Sequence, residues 1–160
     1  ENWARFHYTS YDNPLIDPEI IDLAIKKHLS AKADYSCTDY PYRFLPLGLD
    51  VDVFNFYALE IAYKNAKKSH QREHVTSYFN ENPDVFKINS VNLPKYLESP
   101  SLRLTVDTKE DFELINETYA KLYQTGSIFK TKEILDLFKD QPVLKKINAH
   151  IIQKKIEYLC

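Results

Sequence analysis

Val106-Asp107-Thr108-Lys109-Glu110-Asp111-Phe112 is the stretch from which the rest of the chain can be read. It predicts the end of a strand running directly into a capped helix. Thr108, with Asp111 three residues on, makes a T-x-x-D form of the capping box. The helix needs only Thr108 as its cap, so Asp107 is left over at the strand's carboxyl end. In open α/β sheets that edge is where ligands bind. Ser10-Tyr11-Asp12-Asn13-Pro14-Leu15-Ile16-Asp17-Pro18-Glu19 repeats the pattern. Asp17 caps a helix whose first residue is Pro18, and Asp12 is the acid left over behind a strand.

Outward from these two points, strand and helix alternate, which predicts an α/β fold. Residues 3–9 lean to β, and the helix from Pro18 to about Ser30 carries Ile21, Ala24, Ile25 and Leu29 on one stripe. Residues 33–38 predict a short strand, followed by an aromatic loop that ends at Gly48. Residues 49–54 alternate as the clearest strand, with Leu49, Val51 and Val53 on one face and Asp50, Asp52 and Phe54 on the other. Two acids side by side on a strand face repel unless solvated or given cationic partners. A helix from Tyr57 to about Lys67 has Leu59, Ala62, Tyr63 and Ala66 inward, and a charged hinge over 67–73 leads to a helical turn through Val75, Tyr78 and Phe79. Residues 85–89 and 102–106 predict strands, and 92–100 a loop. The helix after Asp107 places Phe112, Ile115, Tyr119 and Leu122 in register, with Gly126 beyond its end. Thr131 caps one more helix, Pro142 opens a last helical stretch, and the tail from 148 has no assignable element.

Length and composition narrow the classes. The 160 residues suit a single domain over 1–160 with a real core. A net charge of -2 argues against a nucleic-acid partner. Cys37 and Cys160 form neither a disulfide framework nor a metal knuckle, which fits a reducing, cytoplasmic setting. No apolar run reaches membrane-spanning length, so no membrane partner is expected. The two glycines, Gly48 and Gly126, are too few for a glycine-rich phosphate loop. Since the chain opens on Glu1 and directly on strand-like residues, it reads as the back part of a longer protein.

Asp12 and Asp107 at the ends of neighbouring strands suit Mg²⁺, which takes one or two carboxylates plus waters and substrate phosphates. Such an ion neutralises phosphate charge and aligns an attacking oxygen on phosphorus. The plainer account of each is a loop aspartate bonded to its own backbone. Arg43, Arg72 and Arg103 suit a carboxylate or phosphate clamp, although most arginines are solvated or paired. His74 suits acid–base work or a structural hydrogen bond. The aromatic residues over 35–44 line a sugar site or pack a long loop.

Four blocks then resemble a known family. Tyr11-Asp12-Asn13-Pro14-Leu15-Ile16-Asp17-Pro18 comes first, followed by Leu47-Gly48-Leu49-Asp50-Val51-Asp52-Val53-Phe54. Arg72-Glu73-His74-Val75-Thr76 and Leu102-Arg103-Leu104-Thr105-Val106-Asp107-Thr108 complete the order. Together they resemble the cytidylyltransferases that include spore coat polysaccharide biosynthesis proteins and, more distantly, the acylneuraminate and 3-deoxy-manno-octulosonate enzymes. The resemblance implies a Rossmann-like nucleotide-diphospho-sugar transferase fold and transfer of CMP from CTP to an acidic sugar, with release of pyrophosphate. It implies Mg²⁺ held by Asp12 and Asp107. It also implies that the loops over 43–52 and 72–76 face the sugar, which makes Arg43, Asp50, Asp52, Arg72 and His74 substrate-binding candidates beside Arg103, the candidate clamp named above.

The family's N-terminal nucleotide loop has no counterpart here. Asp52 stands where relatives more often carry Glu, and Tyr8 where Arg is frequent. The expected protein is therefore the C-terminal portion of a sugar cytidylyltransferase for cell-surface polysaccharide, inactive alone; the resemblance leaves its oligomeric state open, relatives of this kind often pairing as homodimers. The alternatives are a non-catalytic sugar-binding or assembly module of the same fold, and a glycosyltransferase using a nucleotide sugar.

Overall fold

Asp17 starts the architecture. Its backbone is extended (φ -95°, ψ 117°), its Oδ1 accepts the Glu19 N–H at 2.9 Å, and Pro18 follows as the first helical residue. That cap launches α1, Pro18–Ala31, which ends at Lys32 in the left-handed region. In the computed structural model, which describes residues 5–8 (backbone path), 12–74 and 76–153, ten regular elements follow one another. They are β1 Arg5–Tyr8, α1, β2 Tyr35–Cys37, β3 Asp52–Asn55, α2 Phe56–Asn65, α3 Ser69–Glu73, α4 Ser77–Glu81, β4 Ile88–Ser90, α5 Lys109–Leu122 and α6 Thr131–Asp140. Single 3-10 turns lie at Lys95–Leu97 and Pro142–Lys146. Expectations for Trp3, Tyr11, Val75, Cys160 and the side chain of Tyr8 lie outside the described residues.

The four strands form one sheet in the order β1-β3-β2-β4. β3 runs antiparallel to β1 and to β2, and β4 runs parallel to β2. The α/β expectation holds, and the sheet is small and mixed. Among the described residues, two apolar clusters flank it. One gathers α1, α5 and α6 around Ala24, Leu104, Leu114, Ile134 and Phe138. The other is aromatic: Phe79 of α4 stacks on Tyr35 of β2 at 4.8 Å and on Phe54 of β3 at 5.8 Å, and meets Phe86 edge-on at 4.9 Å. Offset and edge contacts of this kind add to the stabilisation from burial alone.

Several expected elements change. Residues 102–106 are not a sheet strand, and their backbone groups go elsewhere. Leu47 donates to Leu102 O at 2.9 Å, Leu104 donates to Leu47 O at 2.8 Å, and Val106 donates to Asp12 O at 2.9 Å. Asp107 therefore ends an extended bridging segment and not a strand of the sheet. The strand expected over 49–54 begins only at Asp52, because Leu49 N–H turns back to Pro46 O and Val51 N–H is taken by Thr38 Oγ1. Gly48 sits at the crossing with the bridging segment. Its φ is +96°, and an added Cβ would meet Thr105 N at 2.6 Å and Leu104 C at 2.8 Å, so glycine alone fits. The expected strand over 85–89 is reduced to Ile88–Ser90, the hinge over 67–73 contains α3, and the loop over 92–100 contains a 3-10 turn.

Helix faces are rotated from their expected registers. α1 buries Ile20, Ala24 and His28, while Leu29 is exposed; His28 Nδ1 lies 2.9 Å from Ser36 Oγ, which gives a polar residue a core position. In α2, Ala58 and Ala62 are inward and Tyr63 is out. α5 buries Asp111, Leu114, Ile115 and Thr118, leaving Phe112 exposed and Tyr119 partly so. Thr131 is the first residue of α6 and not its cap, which is Lys130. The Thr131 N–H is instead accepted by Asp17 Oδ2 at 2.8 Å, so one buried aspartate satisfies the starts of both α1 and α6.

Candidate functional site

The bridging segment joins the two acids singled out by sequence. The carbonyl of Asp12 accepts the Val106 N–H at 2.9 Å and the Thr105 hydroxyl at 3.3 Å, one residue before Asp107. Among the described residues, Asp12 Oδ1 is buried and has no hydrogen-bond partner, an unusual state for a carboxylate oxygen. The Asp107 side chain is 45% exposed, and its Oδ2 accepts from Arg103 Nη2 at 2.6 Å.

Behind Asp107 stands Asp111, fully buried at the first turn of α5. Its two oxygens take Arg103 Nε and Nη2, both at 2.9 Å. They also take Asn148 Nδ2 at 2.8 Å and the N–H groups of Asp107 and Thr108 at 3.1 Å each. Burial works to raise its pKa, but the bonds from Arg103, Asn148 and the Asp107 N–H outweigh it and hold the carboxyl near 2. Arg103, expected to face substrate, thus has Asp107, Asp111 and Gln153 as side-chain partners.

A second acidic group lies where β2 and β3 meet the aromatic loop. Arg43 Nη1 pairs with Asp50 Oδ2, and Arg43 Nη2 reaches Asp39 at 3.7 Å. Asp52 Oδ1 accepts the Tyr35 hydroxyl at 2.5 Å. Burial, then opposed by Arg43, pushes Asp50 up to about 6. Burial, with the charge of Asp39 added, pushes Asp52 up to about 7. Burial also raises the Tyr35 phenol far above its ordinary value, so it stays a donor. Cys37 Sγ and single oxygens of Asp39 and Asp52 lie within 4.8 Å of one another. Burial pushes the Cys37 thiol up to about 12.

Arg72 lies in α3, and His74 is that helix's C-cap. The Arg72 guanidinium sits 5.5 Å over the Tyr63 ring, and the His74 N–H caps the helix on His70 O at 2.8 Å. Asp39 was missed by sequence because nothing in an aromatic loop marks which side chains turn to β3, whereas Tyr35, counted among the aromatic residues over 35–44, lies in β2 with its hydroxyl on Asp52.

The raised acids give a pH expectation. A carboxyl whose folded value lies above its unfolded one near 3.9 binds protons more tightly when folded. Its favourable contribution is complete below about 4 and is lost as pH rises through about 6 to 7. Side-chain carbon NMR should show Asp50 and Asp52 titrating in that upper range, and Asp52→Asn should flatten the fall in melting temperature between pH 4 and 8. Titration of both near 4 would refute this.

Comparisons with known proteins agree on one kinship. A family model described as cytidylyltransferase matches residues 8–156. The uncharacterized protein MJ1063 of Methanocaldococcus jannaschii is 40% identical over 145 residues, covering 89% of this chain and 56% of that protein. The spore coat polysaccharide biosynthesis protein SpsF of Bacillus subtilis is 33% identical over 132 residues, covering 82% of this chain and 53% of SpsF. A solved cytidylyltransferase structure from Leptospira borgpetersenii shares the fold with a TM-score of 0.80 at 24% identity, over 94% of this chain and 61% of that one. The chain spans about half the length of the curated relatives it matches. Among the described residues, no helix is long and apolar enough to cross a membrane.

Proposed function

The chain belongs to the cytidylyltransferase family, and from that membership we propose that the complete protein transfers CMP from CTP to an acidic sugar, for a cell-surface polysaccharide. This chain would be the sugar and metal side of a Rossmann-like nucleotide-diphospho-sugar transferase fold. A sugar hydroxyl attacks the α-phosphorus, the bond to the β-phosphate breaks, and pyrophosphate leaves.

The observation that supports this most is the tie between Asp12 and the segment ending at Asp107. Mg²⁺ suits the donors present: hard carboxylate oxygens, one of them a buried atom of Asp12 without a partner among the described residues. Bound there, the ion would neutralise phosphate charge and orient the α-phosphate. Asp12 and Asp107 would hold it. Arg43, partly exposed beside Asp39 and Asp50, would offer its fork to the sugar carboxylate. Asp50 and Asp52 would hydrogen-bond sugar hydroxyls, and Arg72 and His74 would border the same substrate.

The test is pyrophosphate release by the complete protein from CTP, with acidic sugars and Mg²⁺. Release that requires both sugar and metal is expected. A protein that binds acidic sugar and shows no release, and no effect of CTP or Mg²⁺ on that binding, would instead be a sugar-binding module.

A further inference from the structure

Arg103 and Asp111 lie next to the proposed metal ligands but have no part in the chemistry given above. Resting on the metal assignment of Asp107, we propose that Arg103 is a positioning residue that orients the Asp107 carboxylate for the cation, and that Asp111 anchors Arg103.

The Arg103 side chain is 10% exposed, and its guanidinium lies between two carboxylates. Nε and Nη2 bind both oxygens of Asp111, each at 2.9 Å, the two-point geometry that fixes a planar group in one orientation. The same Nη2 holds Asp107 Oδ2 at 2.6 Å. Asp111 cannot turn away, because Asn148 Nδ2 and the N–H groups of Asp107 and Thr108 also hold it. Asp107 is therefore gripped at two points by one unit, its backbone N–H by Asp111 and its carboxylate by Arg103. A side chain 45% exposed would otherwise sample several rotamers. With Oδ2 held, Oδ1 is the oxygen left for a cation.

The charge balance permits this. One guanidinium faces two carboxylates, so the unit keeps an excess negative charge for a divalent ion. Lysine in place of Arg103 would keep the charge but lose the fork. Partners that orient a metal ligand typically contribute 10–100-fold to metal affinity.

Mn²⁺ alone, added to the complete protein and followed by the paramagnetic resonance of the free ion, tests the proposal. Arg103→Lys should bind Mn²⁺ at least about tenfold more weakly, with thermal unfolding close to that of the parent. Equal or tighter binding would overturn the positioning role. Asp107→Asn separates the two levels. If it loses Mn²⁺ while Arg103→Lys keeps it, only the positioning role fails. If Asp107→Asn binds like the parent, or the parent does not bind Mn²⁺, the metal assignment fails and takes this proposal with it. Should Arg103→Lys not fold, the parent's Arg103 Nε–H NMR signal decides. It should shift along a Mg²⁺ titration, and a signal that does not respond would refute the coupling.

Discussion

Asp107→Ala in the complete protein is expected to lower pyrophosphate release by at least about 10²–10³-fold, the scale seen when one aligned electrostatic contact to a reacting centre is removed. The fold should tolerate the change. Asp107 is 45% exposed, and its only hydrogen bonds among the described residues are those with Arg103 and, through its N–H, Asp111. An exposed pair of this kind contributes roughly 0–1 kcal/mol, and alanine keeps the backbone bond to Asp111. Turnover and thermal unfolding should be measured on the same preparation. Full activity with unchanged melting would remove Asp107 from the metal role, whereas loss of both would mean that it is structural.

Asp111→Ala should have the opposite profile, with its largest effect on stability. The substitution leaves Arg103, whose side chain is 10% exposed, poorly compensated, removes the acceptor for Asn148, and frees two N–H groups at the start of α5. Breaking one side of a buried ion pair costs about 3–5 kcal/mol, a large share of the roughly 5–15 kcal/mol that holds a domain together. Urea unfolding at pH 7 would read it, and a change below about 1 kcal/mol would refute the assignment.

The sign with pH is also fixed. Asp111 is held near 2 in the fold, below its unfolded value near 3.9, so its contribution is complete above about 4. It is lost as pH falls from there toward 2. Asp111→Asn should lack that acid limb. The window lies below the one in which Asp50 and Asp52 act, so the two effects can be read from one pH series.

Local chemistry was legible wherever it decides structure within one or two turns. Asp17 followed by Pro18 marked the start of α1, and Thr108 with Asp111 marked the reciprocal cap of α5, because a capping bond joins residues only two or three apart. The four blocks carried the family as well, since the same order of short motifs needs no knowledge of their contacts.

What the sequence left open depends on partners far along the chain. The β-leaning residues 102–106 are extended as expected, but sheet membership depends on which backbone comes alongside. Here that backbone is Leu47 and Asp12, neither of them in a strand. Asp111 showed itself as a cap and not as the anchor of Arg103, because Asn148 arrives from 37 residues downstream. That buried pair takes an inward position on α5, so Phe112 faces solvent against its hydrophobicity. Asp17 likewise declared one helix and concealed the second, since Thr131 reaches its other oxygen across 114 residues. Bonds within a turn are determined by the sequence itself, whereas charges and acceptors paired across the chain are decided only when packing excludes the water that would otherwise satisfy them.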